Sequence, residues 1–392
     1  MPSFKPQQAP DRDPASYRAL VHPPGARFIE TIDQRALPHA VVTAKIGDAD
    51  AVALAIRQMW VRGAPLIGAV GAYGLALALD RDATEAALAK AHAALDATRP
   101  TAINLRWALD RVRSAVASLP ERERADAAWR EADAICAEDE AINRSIGAHG
   151  LPLLRDIARR KGGPVNVMTH CNAGALATCG WGTATAPLFL AHTEGLALHV
   201  WVSETRPRLQ GASLTAWEMD RRGVPHTLFS DGASALLMRR GDVDIVLVGA
   251  DRVAANGDVC NKIGTYGKAL AARDTGVPFY VALPSPTLDP KLPSGEAIPI
   301  EARSPDEVLA ITGRDGHGQT TTVAVAPEGT RAINYAFDVT PARLVSGLIT
   351  ERGIVAADRR AIGTLFPERF RLMPPPTAKR CCAKPSSRRR AR

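Results

Sequence analysis

From about Ala51 to Ala148, apolar residues recur at the three-to-four spacing of amphipathic helices, and strand-like segments are scarce. Stretches such as ATEAALAKAHAALDA and ERERADAAWREADAICAEDEAINRSIGAHG carry this period clearly. The pattern predicts a mainly helical N-terminal domain over 25–150, behind a flexible polar lead-in at 1–24. At Lys161-Gly162-Gly163-Pro164 the texture changes. Short apolar or β-branched runs, VNVMTH, ALHVWVSET, HTLFS, DIVLVGAD and PFYVALP, then alternate with helical segments such as LTAWEMDRRG, ASALLMRRG and NKIGTYGKALAARDTG. Strand and helix in this alternation mean βαβ units and a parallel sheet covered on both faces. The fold class read from the pattern is therefore α/β, a helical N-terminal domain followed by a doubly wound, Rossmann-like parallel-sheet domain over 160–370.

In an open parallel sheet the ligand crevice lies beyond the carboxyl ends of the strands. The residues leaving the five expected strands are His170-Cys171-Asn172, Ser203-Glu204-Thr205-Arg206, Ser230-Asp231, Asp251-Arg252 and Pro284-Ser285. They are polar or reactive, whereas the runs behind them are apolar.

Composition fits this picture. Of 392 residues, 46% are apolar and 23% charged, which excludes a mostly disordered chain. The formal charge of +8 taken alone would point to an acidic partner, but seven of the basic residues lie in 373–392, without a single acid; +8 less these seven leaves +1 for the remainder. The stretch 371–392 reads as a disordered basic tail, and the folded body gives no reason to expect nucleic acid. The run Leu66–Leu79 contains three glycines and, at 14 residues, is shorter than the roughly 18 a membrane span requires. The N-terminus lacks a signal-peptide apolar core, and the six cysteines show neither paired metal spacing nor a disulfide framework, so a reducing, cytoplasmic setting is expected. The nine histidines do not cluster at metal-ligand spacing.

A few short motifs carry candidate chemistry. Cys171, in Thr169-His170-Cys171-Asn172-Ala173-Gly174, follows a strand and is expected to open a helix, where the dipole would favour a thiolate and an apolar wall a neutral thiol. Cys179, expected inside that helix, reads as a small buried hydrophobe. Asp251, in Gly249-Ala250-Asp251-Arg252, stands at the mouth of an apolar strand; loss of solvation there would raise its pKa toward that of a general acid, while a salt bridge or helix cap is the plainer role for such an Asp. Asn261-Lys262 is expected to open a helix whose amides and ammonium could grip a phosphate or hydroxyl. Arg62-Gly63-Ala64-Pro65 combines a guanidinium, a residue allowing close backbone approach and a proline suited to a first helical turn, an oxyanion clamp; Arg99-Pro100-Thr101 offers a second guanidinium before another helix. GAVGAYG does not follow a strand, so close helix packing explains it better than a dinucleotide. No Walker A, HExxH or GxSxG sequence is present.

Taken in order, RGAPLIGAVGAYG, RPTAINLRWAL, THCNAGALAT, ETRPRLQGASLTAWE, VGADRVAANGDVCNKIGTY, VALPSPTLD and AFDVTPA resemble the methylthioribose-1-phosphate isomerase family over roughly residues 25–355. That family shares its fold with ribose-1,5-bisphosphate isomerases and regulatory subunits of eukaryotic initiation factor 2B. The resemblance implies conversion of 5-methylthioribose 1-phosphate to 5-methylthioribulose 1-phosphate in methionine salvage, without cofactor or metal, by a homodimer. It also implies Cys171 and Asp251 as the catalytic pair, with Arg62, Gly63, Ala64, Arg99, Gln210, Asn261 and Lys262 holding the sugar phosphate. Gln210 enters through the resemblance alone. Ser203 before Glu204, Asp231-Gly232-Ala233 and Asn334-Tyr335-Ala336 depart from the family's usual Asp-Glu, Asp-Asn-Met and Asn-Pro-Ala, which leaves pocket shape open. Isomerisation of another C1-phosphorylated ribose, such as ribose 1,5-bisphosphate, and a non-catalytic regulatory subunit are the alternatives.

Overall fold

The computed structural model describes residues 17–99 and 103–370. The basic tail expected at 371–392 and the Pro100-Thr101 pair lie outside them. A small antiparallel sheet comes first: β1 (Leu20–Val21), β2 (Ile29–Ile32) and β3 (Thr43–Ile46). The lead-in expected to run freely to residue 24 is thus tied down from residue 17 onward. Ala19 and Leu20 are buried, and the Tyr17 hydroxyl donates to Glu218. The strands escaped the sequence pattern because IETI and TAKI are short and half polar.

The expected helical region follows as α1 (Ala49–Arg57), α2 (Ala64–Arg81), α3 (Glu85–Asp96), α4 (Ile103–Val116) and α5 (Glu121–Lys161). Helix α2 is buried almost all round and forms the hub of this layer. Its glycines admit α4: a Cβ on Gly68 would lie 2.8 Å from the Asn104 carbonyl oxygen, and one on Gly71 2.4 Å from Leu105 Cδ1. Close packing is therefore what GAVGAYG provides. Helix α5 runs through the expected division at 150, because nothing stops it until the left-handed Gly162. Trp129, Ala132 and Ile135 pack in the helical core, while Ile146, Leu151 and Leu154 pack beneath the sheet.

The five expected strands all form: β4 (Val165–Thr169), β5 (Leu198–Ser203), β6 (His226–Phe229), β7 (Ile245–Val248) and, after a short hairpin of β8 (Arg252–Ala254) and β9 (Val259–Lys262), β10 (Phe279–Ala282). Between them lie α6 (Ala186–Thr193), α7 (Ala216–Arg221), α8 (Ser234–Arg239) and α9 (Thr265–Thr275). Four further strands are short, β11 (Leu288–Asp289) and a hairpin of β12 (Ala310–Arg314) and β13 (Thr320–Ala324), then β14 (Phe337–Thr340); β15 (Gly347–Thr350) and β16 (Gly353–Val355) end the series. The main sheet runs β16-β15-β10-β7-β4-β5-β6, parallel except for the terminal β16. Alternate residues feed opposite cores: Val167, Val200, Ile245 and Leu247 face α5 and α6, whereas Met168, Val246, Val248 and Val281 face α8 and α9. A second sheet, β11-β8-β9-β14, stands beside the first.

The chain passes from β4 outward to β5 and β6, then returns to β7 on the other side of β4 and continues outward to β10 and β15. The order therefore reverses between β4 and β7, and at such a reversal an open α/β sheet leaves a crevice at its carboxyl edge.

Candidate active site at the strand-order reversal

Cys171 leaves β4 and Asp251 leaves β7, the two strands flanking the reversal, with Val167 opposite Ile245 and Met168 opposite Val246. Their loops touch. A Cβ on Gly249 would lie 2.7 Å from Cβ of Ala173, so only glycine lets the two exits approach this closely. Cys171 is 7% exposed and has φ 63°, a left-handed conformation that is uncommon outside glycine and found at strained functional positions. Two threonines clamp its peptide units: its N–H donates to Thr205 Oγ1 at 2.8 Å, and Thr215 Oγ1 donates to its carbonyl at 2.6 Å.

The expected helix after Cys171 does not follow. The chain makes one tight turn at Ala175–Ala177 and winds irregularly to α6, so Cys171 does not stand at the start of a helix. Gly174, Gly180 and Gly182 explain the break: a Cβ on Gly174 would meet the Glu218 carboxylate at 2.0 Å, and Gly182 has φ 79°. Cys179 is buried as expected but lies in this irregular stretch, its N–H donating to Asp139 at 2.8 Å.

Asp251 is anchored by its backbone, whose N–H donates to the Cys260 carbonyl at 2.9 Å. The residue is half-buried on the wall of a recess, and the loss of water around its carboxyl pushes its pKa above the usual carboxylate range against the pull of Lys262, Arg62 and Arg99. Asn261 and Lys262 do not open a helix. They end β9, which is folded back on β8 by the turn Asn256-Gly257-Asp258, and α9 begins only at Thr265. Lys262 is buried with its ammonium 4.8 Å from the Phe337 ring centroid; burial lowers its pKa, and Cys171 and Asp251 raise it. Lys262 thus lies within electrostatic reach of both reactive groups, and among the described residues no carboxylate forms an ion pair with it. The Asn261 side chain donates to Thr265 Oγ1 at 3.1 Å.

Arg62 precedes the start of α2, with Gly63 in the cap position at φ 92° and a proline in the first turn, as the sequence predicts. A Cβ on Gly63 would lie 2.5 Å from Cβ of Ala177, so the clamp rests directly on the loop that follows Cys171. The Arg62 guanidinium donates to Asn172 twice, to Oδ1 at 2.6 Å and to the carbonyl at 2.7 Å. Gly63, Ala64, Arg99 and Asp251 line one narrow recess with Ile67 and Phe337. Among the described residues Arg99 Nε there has no hydrogen-bond partner, and it is 3.6 Å from Glu301 Oε2. Gln210 lies in a broader groove lined also by Arg62 and by strand β12; among the described residues its buried Oε1 has no hydrogen-bond partner.

Of the residues behind these groups, the pattern placed His170, Ser203, Thr205 and Asp231 at strand ends but did not single out Tyr17, Glu218, Lys268 or Asp338. Glu218, fully buried on α7, accepts from Asn172 Nδ2 at 2.5 Å, Tyr17 Oη at 2.7 Å and Leu176 N at 3.1 Å. Beneath Cys171, Asp231 accepts from Ser203 Oγ, from Thr205 N at 2.9 Å and from Arg206 N at 2.7 Å, and pairs with buried Lys268 at 3.7 Å. Asp338 caps α9 through Gly264 N at 2.7 Å. His170 bonds the Ile263 carbonyl at 2.8 Å, and burial together with Lys268 keeps it neutral. Among the described residues no group of three or more His, Cys, Asp or Glu side chains is placed to hold a metal ion, and no helix is long and apolar enough to cross a membrane.

The fold and site together define a doubly wound α/β protein with a thiol, a carboxyl and three cations gathered at its switch point. The chain belongs to the initiation factor 2 subunit family, which it matches over residues 60–357. The methylthioribose-1-phosphate isomerase of Rhizobium meliloti is 58% identical over 346 residues, covering 88% of this chain and 95% of that enzyme. Among solved structures, 5-methylthioribose 1-phosphate isomerase from Pyrococcus horikoshii is 40% identical with a TM-score of 0.77, covering 90% of this chain and 96% of that one. Translation initiation factor eIF-2B, subunit delta, from A. fulgidus is 35% identical with a TM-score of 0.74, covering 90% of this chain and all of the other.

Proposed function

We propose that this chain is an aldose–ketose isomerase converting 5-methylthioribose 1-phosphate to 5-methylthioribulose 1-phosphate in methionine salvage. The observation that carries the reading is the placement of Cys171 and Asp251 on the two loops that touch at the strand-order reversal, beside Arg62, Arg99 and Lys262. A phosphate on C1 blocks spontaneous opening of the furanose to an aldehyde, so the ring oxygen must be protonated. Asp251, held toward its protonated form by burial, gives that proton, and the C1–O4 bond breaks to leave a cation at C1. Hydrogen then moves from C2 to C1 with the help of Cys171. The C2 hydroxyl becomes the ketone as its proton returns to Asp251, and the site is restored. Arg62, Arg99 and Lys262, the Gly63 and Ala64 amides, Asn261 and Gln210 hold the phosphate and hydroxyls; three cations against one reactive carboxyl suit a dianion. Shielding from bulk water protects the cation at C1.

The same reading extends to a homodimer in the cytoplasm, with the helical segment to about residue 150 and the sheet from about 160 as opposite walls of the cleft. The deciding experiment compares turnover of 5-methylthioribose 1-phosphate and ribose 1,5-bisphosphate by the purified protein. Ketose formation at a higher kcat/KM from the methylthio sugar is expected. Preference for the bisphosphate would replace the substrate, and turnover of neither would return the chain to a regulatory role.

A further inference from the structure

One element lies behind both sides of the site. Gln210 opens a π-helical turn at Gly211–Thr215 that continues into α7, and such turns recur at functional positions. Thr215 and Glu218, three residues apart, lie on one helix face. Both are buried, and neither lines the recess or the groove. Thr215 Oγ1 donates to the Cys171 carbonyl at 2.6 Å and accepts from Asn172 Nδ2 at 3.2 Å. Glu218 accepts from the same Asn172 nitrogen at 2.5 Å, which turns Asn172 Oδ1 toward Arg62, 2.6 Å away. Tyr17 completes the chain by donating to Glu218.

We infer that Thr215 and Glu218 are positioning residues with separable duties: Thr215 holds Cys171 in its left-handed conformation, and Glu218, through Asn172, aims Arg62 at the phosphate. The inference rests on the isomerase reading for its kinetic consequences only. Without its hydroxyl donor, the Cys171 peptide relaxes and the thiol swings off line. Without the Glu218 charge, Asn172 is free to turn its amide and the guanidinium loses its bidentate partner.

The test uses the full-length protein with Thr215→Val, Thr215→Ser, Glu218→Gln and Tyr17→Phe, the last a mild change that leaves the buried carboxylate in place. Four quantities are read: kcat, KM, the pH midpoint of Cys171 alkylation by iodoacetamide followed on its own peptide, and calorimetric affinity for inorganic phosphate. Thr215→Val should lower kcat about tenfold and move the alkylation midpoint while KM holds, and Thr215→Ser should restore both. Glu218→Gln should raise KM and weaken phosphate binding about tenfold, and Tyr17→Phe about threefold, with kcat nearly unchanged. Failure of serine to rescue, or parallel losses in kcat and KM that simply follow melting temperature, would overturn the inference. If the sugar is not turned over yet alkylation and phosphate affinity shift as described, the positioning stands and the isomerase reading falls.

Discussion

Two polar clusters are buried side by side at the carboxyl edge of the sheet, and they are satisfied to very different degrees. Beneath Cys171, Asp231 and Asp338 are met by backbone and hydroxyl donors, Lys268 pairs with Asp231, and His170 is neutral against a carbonyl. Beside Asp251, by contrast, Arg62, Arg99 and Lys262 crowd together; among the described residues Arg99 Nε and Gln210 Oε1 accept or donate no hydrogen bond, Arg99 pairs only loosely with Glu301 at 3.6 Å, and Lys262 has no ion pair. A buried polar group left unpaired costs stability unless a ligand completes it. The first cluster is a foundation, and the second is left open in the way the proposed sugar-phosphate site requires.

The difference can be broken experimentally. The largest effect is expected from Asp251→Asn, which should reduce turnover by about 10²–10⁴-fold while substrate still binds in a calorimeter. Because burial raises the Asp251 pKa, the wild type should lose activity as pH climbs through that value, and the residual activity of the variant should be flat there. Asp231→Ala, in the satisfied cluster, should instead cost about 2–4 kcal/mol in chemical denaturation, since it strips the Thr205 and Arg206 amides of their acceptor. Lys262→Met should do the reverse: KM rises about tenfold or more, while the melting temperature does not fall, because like charges are relieved.

A graded effect of pH sharpens the picture of the foundation. Burial raises the Asp338 carboxyl from its ordinary 3.8 to about 6. A raised carboxyl pKa disfavours folding once the unfolded chain has ionised, so stability should decline by about 2 kcal/mol as pH rises from about 4 to about 6, then level off. Asp338→Asn should remove most of that slope in urea titrations at stepped pH.

The inner strands β4, β5, β7 and β10 were legible because strands covered on both faces read as largely apolar runs, whereas β6, the half-exposed edge strand, was legible from its place in the alternation; the rule for strand ends then pointed to Cys171 and Asp251. The clamp at Arg62 was legible because proline and glycine mark a helix start. Lys262 was placed on the wrong element: VCNK is too short to show a period, although Asn256-Gly257 is a recognised hairpin signal. The helix expected after Cys171 fails for a tertiary reason, the approach of Gly174 to Glu218, forty-four residues away in the chain. Tyr17, Thr215 and Glu218 act through contacts between distant segments, which no local pattern contains. Gln210 has no local signature either, and only the likeness to a family pointed to it.

Helix α5 has one consequence for how the molecule comes apart. At 41 residues it is about 60 Å of continuous rod, rooted at one end among the N-terminal helices and at the other under the sheet. Neither half can melt without exposing the rod's apolar stripe in the other, so heating should give a single calorimetric transition with no half-folded intermediate.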